Sequence, residues 1–86
     1  MKQITVYTTG ESCQRCRMTM RRLDERGIPY RVIDVTDPAQ APAREHVIGH
    51  LGYTEAPVMT VGPGERQHWS GYRPDLIDTL TTERSL

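Results

Sequence analysis

Apolar residues fall along this chain in two rhythms. In residues 3–8, Ile4 and Val6 alternate with polar neighbours and Tyr7 adds an aromatic ring before Gly10 breaks the run, a pattern that predicts a buried strand. From Ser12 or Cys13 to about Arg26 the spacing lengthens. Cys16, Met20 and Leu23 recur there at helical intervals as an inner stripe and Gly27 follows as a stop, so a helix is expected. Residues 30–35 return to strand character, with Tyr30, Val32, Ile33 and Val35 apolar and Thr36-Asp37-Pro38 behind them. Strand, helix and strand in so short a span imply a parallel unit with a right-handed crossover.

The second half is read in the same way. Pro42 would clash with the preceding turn of any helix begun at Pro38, so regular helix is expected from near Pro42 to Leu51, burying Val47, Ile48 and Leu51 before Gly52. Residues 56–61 predict a third strand with its proline at the very start, where a missing N–H is tolerated. Gly62-Pro63-Gly64 makes a turn, and 66–70 a fourth strand, antiparallel to the third because the loop is short. In the closing helix, 73–80, Pro74 suits the first helical position, Asp75 the dipole, and Leu76, Ile77 and Leu80 face inward; fraying is expected beyond Thr82. Numbered in chain order, the elements run β1-α1-β2-α2-β3-β4-α3. That is an α/β protein with a four-stranded mixed sheet and three helices, read as one domain over 1–86.

Size and charge narrow the chemistry. A chain of 86 residues builds one core and is above the size that normally needs metals or several disulfides to hold together. Eleven basic side chains balance eleven acidic ones, so no nucleic-acid backbone or anionic membrane is expected as partner. No apolar stretch is long enough for a signal peptide or a membrane span, and a cytoplasmic location is expected. In that reducing setting a close cysteine pair reads as catalytic or metal-binding before it reads as a structural staple.

Cys13 and Cys16, the only cysteines, stand three positions apart where β1 should give way to α1. Residues so spaced share a face of one helical turn, within reach of a disulfide. At the helix start, unpaired amides and the dipole favour a Cys13 thiolate, with Arg15 and Arg17 adding charge. Cys13 is therefore the candidate nucleophile and Cys16, one turn deeper, the candidate resolving thiol. A zinc module through Cys13, Cys16, His46 and His50 is the non-redox alternative. The 29 residues between Cys16 and His46 count against it, since small zinc modules use a connection of roughly 12. His46 and His50 read more simply as a solvent-facing pair, and His68 as an exposed strand position without a partner. Arg15, Arg17, Arg21, Arg22 and Arg26 give α1 a basic outer face that could attract an acidic peptide, but Asp24 and Glu25 dilute its field and a merely solvated face is the expectation.

Three runs carry a family resemblance: Cys13-Gln14-Arg15-Cys16, Ala56-Pro57-Val58, and Trp69-Ser70-Gly71-Tyr72-Arg73-Pro74-Asp75. With the element order, they make the chain similar to a thioredoxin-like fold of glutaredoxin size, and from Ile4 to Leu80 it resembles the NrdH-redoxins, which carry Phe at the position of Tyr72. The resemblance implies a dithiol-disulfide oxidoreductase that binds no cofactor. It would reduce the large subunit of class Ib ribonucleotide reductase and be recharged by thioredoxin reductase, drawing indirectly on NADPH, and act as a monomer. It further implies a cis peptide at Pro57, with Ala56 and Pro57 as the edge on which a client peptide adds a short strand. Trp69, Ser70, Gly71, Tyr72 and Arg73 would form the adjoining client segment, although Trp69 and Tyr72 by their residue types read first as structural support. Glutathione-dependent glutaredoxins place a glycine pair and an acidic pair here, whereas this stretch keeps one glycine and one acid. A glutaredoxin dependent on glutathione or another small thiol, or a general protein-disulfide reductase, is the redox alternative. Departures from the NrdH pattern are the Gln14-Arg15 spacer and Thr9-Gly10 in place of a Lys-Pro pair.

Overall fold

The computed structural model describes residues 3–80, so the expected fraying beyond Thr82 lies outside the described residues. Four strands, β1 (Gln3–Thr8), β2 (Arg31–Asp34), β3 (Val58–Gly62) and β4 (Gln67–Ser70), form one mixed sheet in the order β2-β1-β3-β4. β1 runs parallel to β2 and antiparallel to β3, and β4 is antiparallel to β3. The expected thioredoxin-like, glutaredoxin-sized arrangement is therefore present.

Alternation along β1 sends side chains to two faces. Ile4 and Val6 join Met59, Val61 and Trp69 in a core closed by Leu23 and Ile28 from one side of the chain and Ile77 and Leu80 from the other. Tyr7 and Val58 face the opposite way, onto Val47, with Ile33, Val35, Ala43 and Tyr53 packed around them. Helices α1 (Gln14–Glu25) and α3 (Pro74–Thr79) thus cover one face, and α2 (Ala41–Glu45) with the turns on either side of it covers the other.

The end of α1 shows how the sequence fixes its position. Gly27 takes a left-handed φ of 68°, its N–H bonds to the Asp24 carbonyl, and the Ile28 N–H reaches back to the Leu23 carbonyl at 2.9 Å. This is the Schellman arrangement, with its hydrophobic contact supplied by Leu23 and Ile28. The inner stripe is Cys16, Thr19 and Leu23, all fully buried, with Met20 half-buried beside them. Arg22 and Arg26 do not lie on a merely solvated face; both reach Asp78 of α3, at 2.7 and 3.2 Å.

Two elements differ from their sequence reading. β2 begins at Arg31, after Tyr30, and Val32 is 49% exposed, because this is an edge strand that pairs on one side only. The expected helix 42–51 is instead a 3-10 turn at Pro38–Gln40, five α-helical residues, and a π-helical turn at His46–His50. Asp37 caps its start on the Ala39 N–H, and only Val47 of the three expected apolar residues is buried; Ile48 is exposed and Leu51 half-buried.

Candidate active site

The site grows out of the turn between β1 and α1. Gly10 holds φ at 107°, a conformation open to few residues with a side chain, and its N–H is taken by the Thr8 hydroxyl at 3.2 Å. Its carbonyl accepts from the Cys13 N–H, closing the turn and aiming Cys13 into the N-cap position. The Cys13 sulfur takes the Cys16 N–H at 3.2 Å, one of the orphan amides of a helix start. Cys13 and Cys16 are joined as a disulfide with their Cα atoms 5.2 Å apart.

The two sulfurs are not equivalent. Cys13 is half-buried and lies at the surface turn, whereas Cys16 is 0% exposed and packs inside the first turn of α1. An incoming group can meet Cys13 without moving the helix; Cys16 can be met only by its neighbour.

Pro57 is fully buried at the start of β3, and the Ala56–Pro57 peptide is cis. Its carbonyl accepts the Gly71 N–H at 2.8 Å, so the stretch after β4 is tied to the proline edge. Gly71 holds φ at 83°, a conformation strained for a residue with a side chain, and a Cβ there would stand 3.3 Å from the Glu55 carboxylate, which would have to give by a few tenths of an ångström. Ser70 donates its hydroxyl to that carboxylate at 2.8 Å, and the Arg15 guanidinium approaches it at 3.8 Å. Glu55 thereby links the dithiol turn, the proline edge and the end of β4. Nothing in the hydrophobic pattern marked it; a charged residue two positions before Pro57 was the available signal.

Of the five residues expected to form the client segment, Ser70 and Gly71 lie against Pro57 or Glu55. Trp69 points into the core, 8% exposed, with its indole N–H unpartnered, and Tyr72 packs on the same core. Arg73 is exposed and clamps Asp75 across the start of α3, at 2.9 and 3.2 Å. That hydrogen-bonded guanidinium holds the Asp75 carboxyl below the usual carboxylate range.

The histidines are occupied elsewhere. His46 meets both Glu65 oxygens, at 2.8 and 2.9 Å, and stacks on His50, so it is not a freely solvated side chain. His68 has a partner after all, the Tyr53 hydroxyl at 2.8 Å. Among the described residues, no group of three or more His, Cys, Asp or Glu side chains is gathered where a metal ion could be held, so the tetrad Cys13, Cys16, His46 and His50 is not assembled. Nor is any helix among them long and apolar enough to cross a membrane.

Comparison with known proteins gives a consistent pattern. The Glutaredoxin family model matches residues 4–64. The glutaredoxin-like protein NrdH of Escherichia coli K12 is 32% identical over 78 residues, covering 91% of this chain and 88% of that protein. The gene 56 protein of Mycobacterium phage D29 is 32% identical over 80 residues, covering 90% and 80%. The solved NrdH-redoxin of Escherichia coli, a glutaredoxin-like protein described by its thioredoxin-like activity profile, superposes with a TM-score of 0.74 at 32% identity, covering 91% of this chain and 93% of the other. A glutaredoxin from Archaeoglobus fulgidus shares the fold, with a TM-score of 0.76 at 22% identity and coverage of 95% and 88%.

Proposed function

The chain belongs to the glutaredoxin family, among its NrdH-like members, and we propose that it passes electron pairs from its cysteines to a disulfide of the class Ib ribonucleotide reductase large subunit. It is a thiol-disulfide oxidoreductase. The observation that carries the assignment of roles is the unequal exposure of two bonded sulfurs, Cys13 at the surface and Cys16 fully covered.

In the proposed cycle the reduced protein meets its client with Cys13 as thiolate, supported by the Cys16 N–H and the helix start. Cys13 attacks one client sulfur; a mixed disulfide forms and the other client sulfur leaves as thiolate, taking up a proton. Cys16 then loses its proton and attacks the Cys13 sulfur. The mixed disulfide breaks, the second client sulfur leaves as a thiol, and the protein departs with Cys13 and Cys16 bonded, two electrons poorer. Ala56 and Pro57 offer the edge along which the client backbone lies, with Ser70 and Gly71 beside it. Thioredoxin reductase, fed by NADPH, returns the electrons, and the protein works as a cytoplasmic monomer. The NrdH name of the relatives and the thioredoxin-like activity profile of the Escherichia coli protein support this choice of partners over glutathione.

Substitution separates the sulfurs. A Cys16→Ser variant is expected to accumulate a mixed disulfide with the reductase large subunit at Cys13, identifiable by mass spectrometry, and Cys13→Ser none. NADPH should be consumed with thioredoxin reductase present and not with glutathione plus glutathione reductase; the reverse pattern would assign the protein to glutathione.

A further inference from the structure

The five arginines of the α1 region are used differently. Arg15 faces Glu55, and Arg22 and Arg26 are bound to Asp78. Arg17 and Arg21 are exposed and have no ion-pair partner among the described residues. They stand four positions apart on the helix, where like charges sit one above the other and repel. Between them is Met18, 39% exposed, and Gln14, Arg17, Met18 and Arg21 line one shallow surface hollow. These positions, i, i+3, i+4 and i+7, form one stripe along the helix. The stripe begins at the reactive end: Arg17 lies one turn beyond Cys13, its N–H bonded to the Cys13 carbonyl at 3.1 Å. Two acids border it. Glu11 and Asp34 line the neighbouring hollow with Arg17, and Asp34 is engaged by Thr36.

We infer that this stripe is a docking surface for an acidic segment flanking the disulfide of a protein client. The inference rests on Cys13 being the attacking sulfur. Charge complementarity names the occupant, and geometry sets its register. At a rise of about 1.5 Å per residue, Arg17 and Arg21 lie roughly 6 and 12 Å along the axis from Cys13. An extended client advances about 3.3 Å per residue, so acids about two and four positions from the attacked cysteine fall beside the two guanidiniums. A residue between them meets Met18, and an apolar side chain suits it.

The test uses the intact protein and synthetic disulfide peptides identical except at those two positions, which carry Glu, Gln or Lys. The second-order rate of peptide reduction is expected to rank Glu above Gln above Lys, with the Glu peptide roughly fivefold faster than the Gln peptide, the scale of two exposed ion pairs. The advantage should shrink in 0.5 M salt. A doubly reversed variant, Arg17→Glu with Arg21→Glu, should prefer the Lys peptide, and Arg17→Gln with Arg21→Gln should lose the ranking. Each peptide rate is divided by the same variant's rate on the small neutral disulfide 2,2′-dithiodipyridine, which cancels any change that the altered charge near Cys13 makes to its reactivity and so separates docking from chemistry. Equal rates for all three peptides would overturn the docking surface while leaving the redox reading intact; failure to reduce any disulfide would overturn that reading itself.

Discussion

Single residues carry the chemistry and also the local faults of this fold. Cys13 is reachable and receives an amide N–H, while Cys16 is sealed, so iodoacetamide added to the reduced protein should label Cys13 well before Cys16; equal labelling would contradict the assignment. Thr19 is fully buried with its hydroxyl unpaired. An unsatisfied buried hydroxyl costs about 1–3 kcal/mol, and valine keeps the shape without it. Thr19→Val should therefore raise stability by about 1 kcal/mol, seen as an increase in Tm of roughly 4–8 °C for a domain of this size. An unchanged or lower Tm would show that the hydroxyl is satisfied in solution. Tyr30 is a further local case: burial, then its hydrogen bond to Asp24, pushes its phenol up to about 12.

At the scale of elements, the apolar packing of α1 on α3 is supplemented by a polar contact, the Asp78 clasp, which takes Arg22 at 2.7 and 3.1 Å and Arg26 at 3.2 Å. The hydrogen bond from Arg22 holds the Asp78 carboxyl below its ordinary value. A depressed carboxyl contributes stability that is present above the unfolded value near 3.9 and is lost as pH falls through the folded value. Asp78→Asn should therefore lower stability at neutral pH and flatten the loss of stability between about pH 5 and pH 2, measured by denaturant unfolding at each pH. Among the described residues, Asp34 and Asp75, whose carboxyls are also held low, contribute to the remaining slope. An acid limb identical to the parent's would remove the clasp from the account. Elements with strong local signals were legible in the sequence: β1 and β3 by their β-branched runs, α1 by its cysteine and leucine spacing and Gly27, α3 by Pro74. What was not legible depends on neighbours. Val32 is apolar whether its strand is central or at an edge, and no local pattern distinguishes an α-helix over 42–51 from one that opens into a π-turn where His46 meets Glu65, nineteen residues away. Thr19 enters the buried stripe because the covering elements, not its polarity, decide which helix face is inner.

In the molecule as a whole, the layers converge to hold one loop still. β1 and β3 are adjacent and antiparallel, so the end of β1, which leads to Cys13, and the beginning of β3, which carries Pro57, lie at the same end of the sheet. Leu23 and Met59, both fully buried, fasten α1 to that sheet. Leu23→Ala should cost about 2–5 kcal/mol, a loss readable in thermal or denaturant unfolding, and a smaller effect would mean the core closes over the gap. The cysteine pair could be named from sequence because its spacing is local, and the proline edge only through the family resemblance; Glu55 could not be named, since its partners Arg15 and Ser70 come together only through the fold. All of this serves one exchange of an electron pair, and counting thiols tests it directly. The reduced protein, mixed with a peptide disulfide, should fall from two free thiols per chain to none, one peptide disulfide opened for each Cys13–Cys16 bond formed. Two thiols persisting while the peptide stays oxidised would contradict the account.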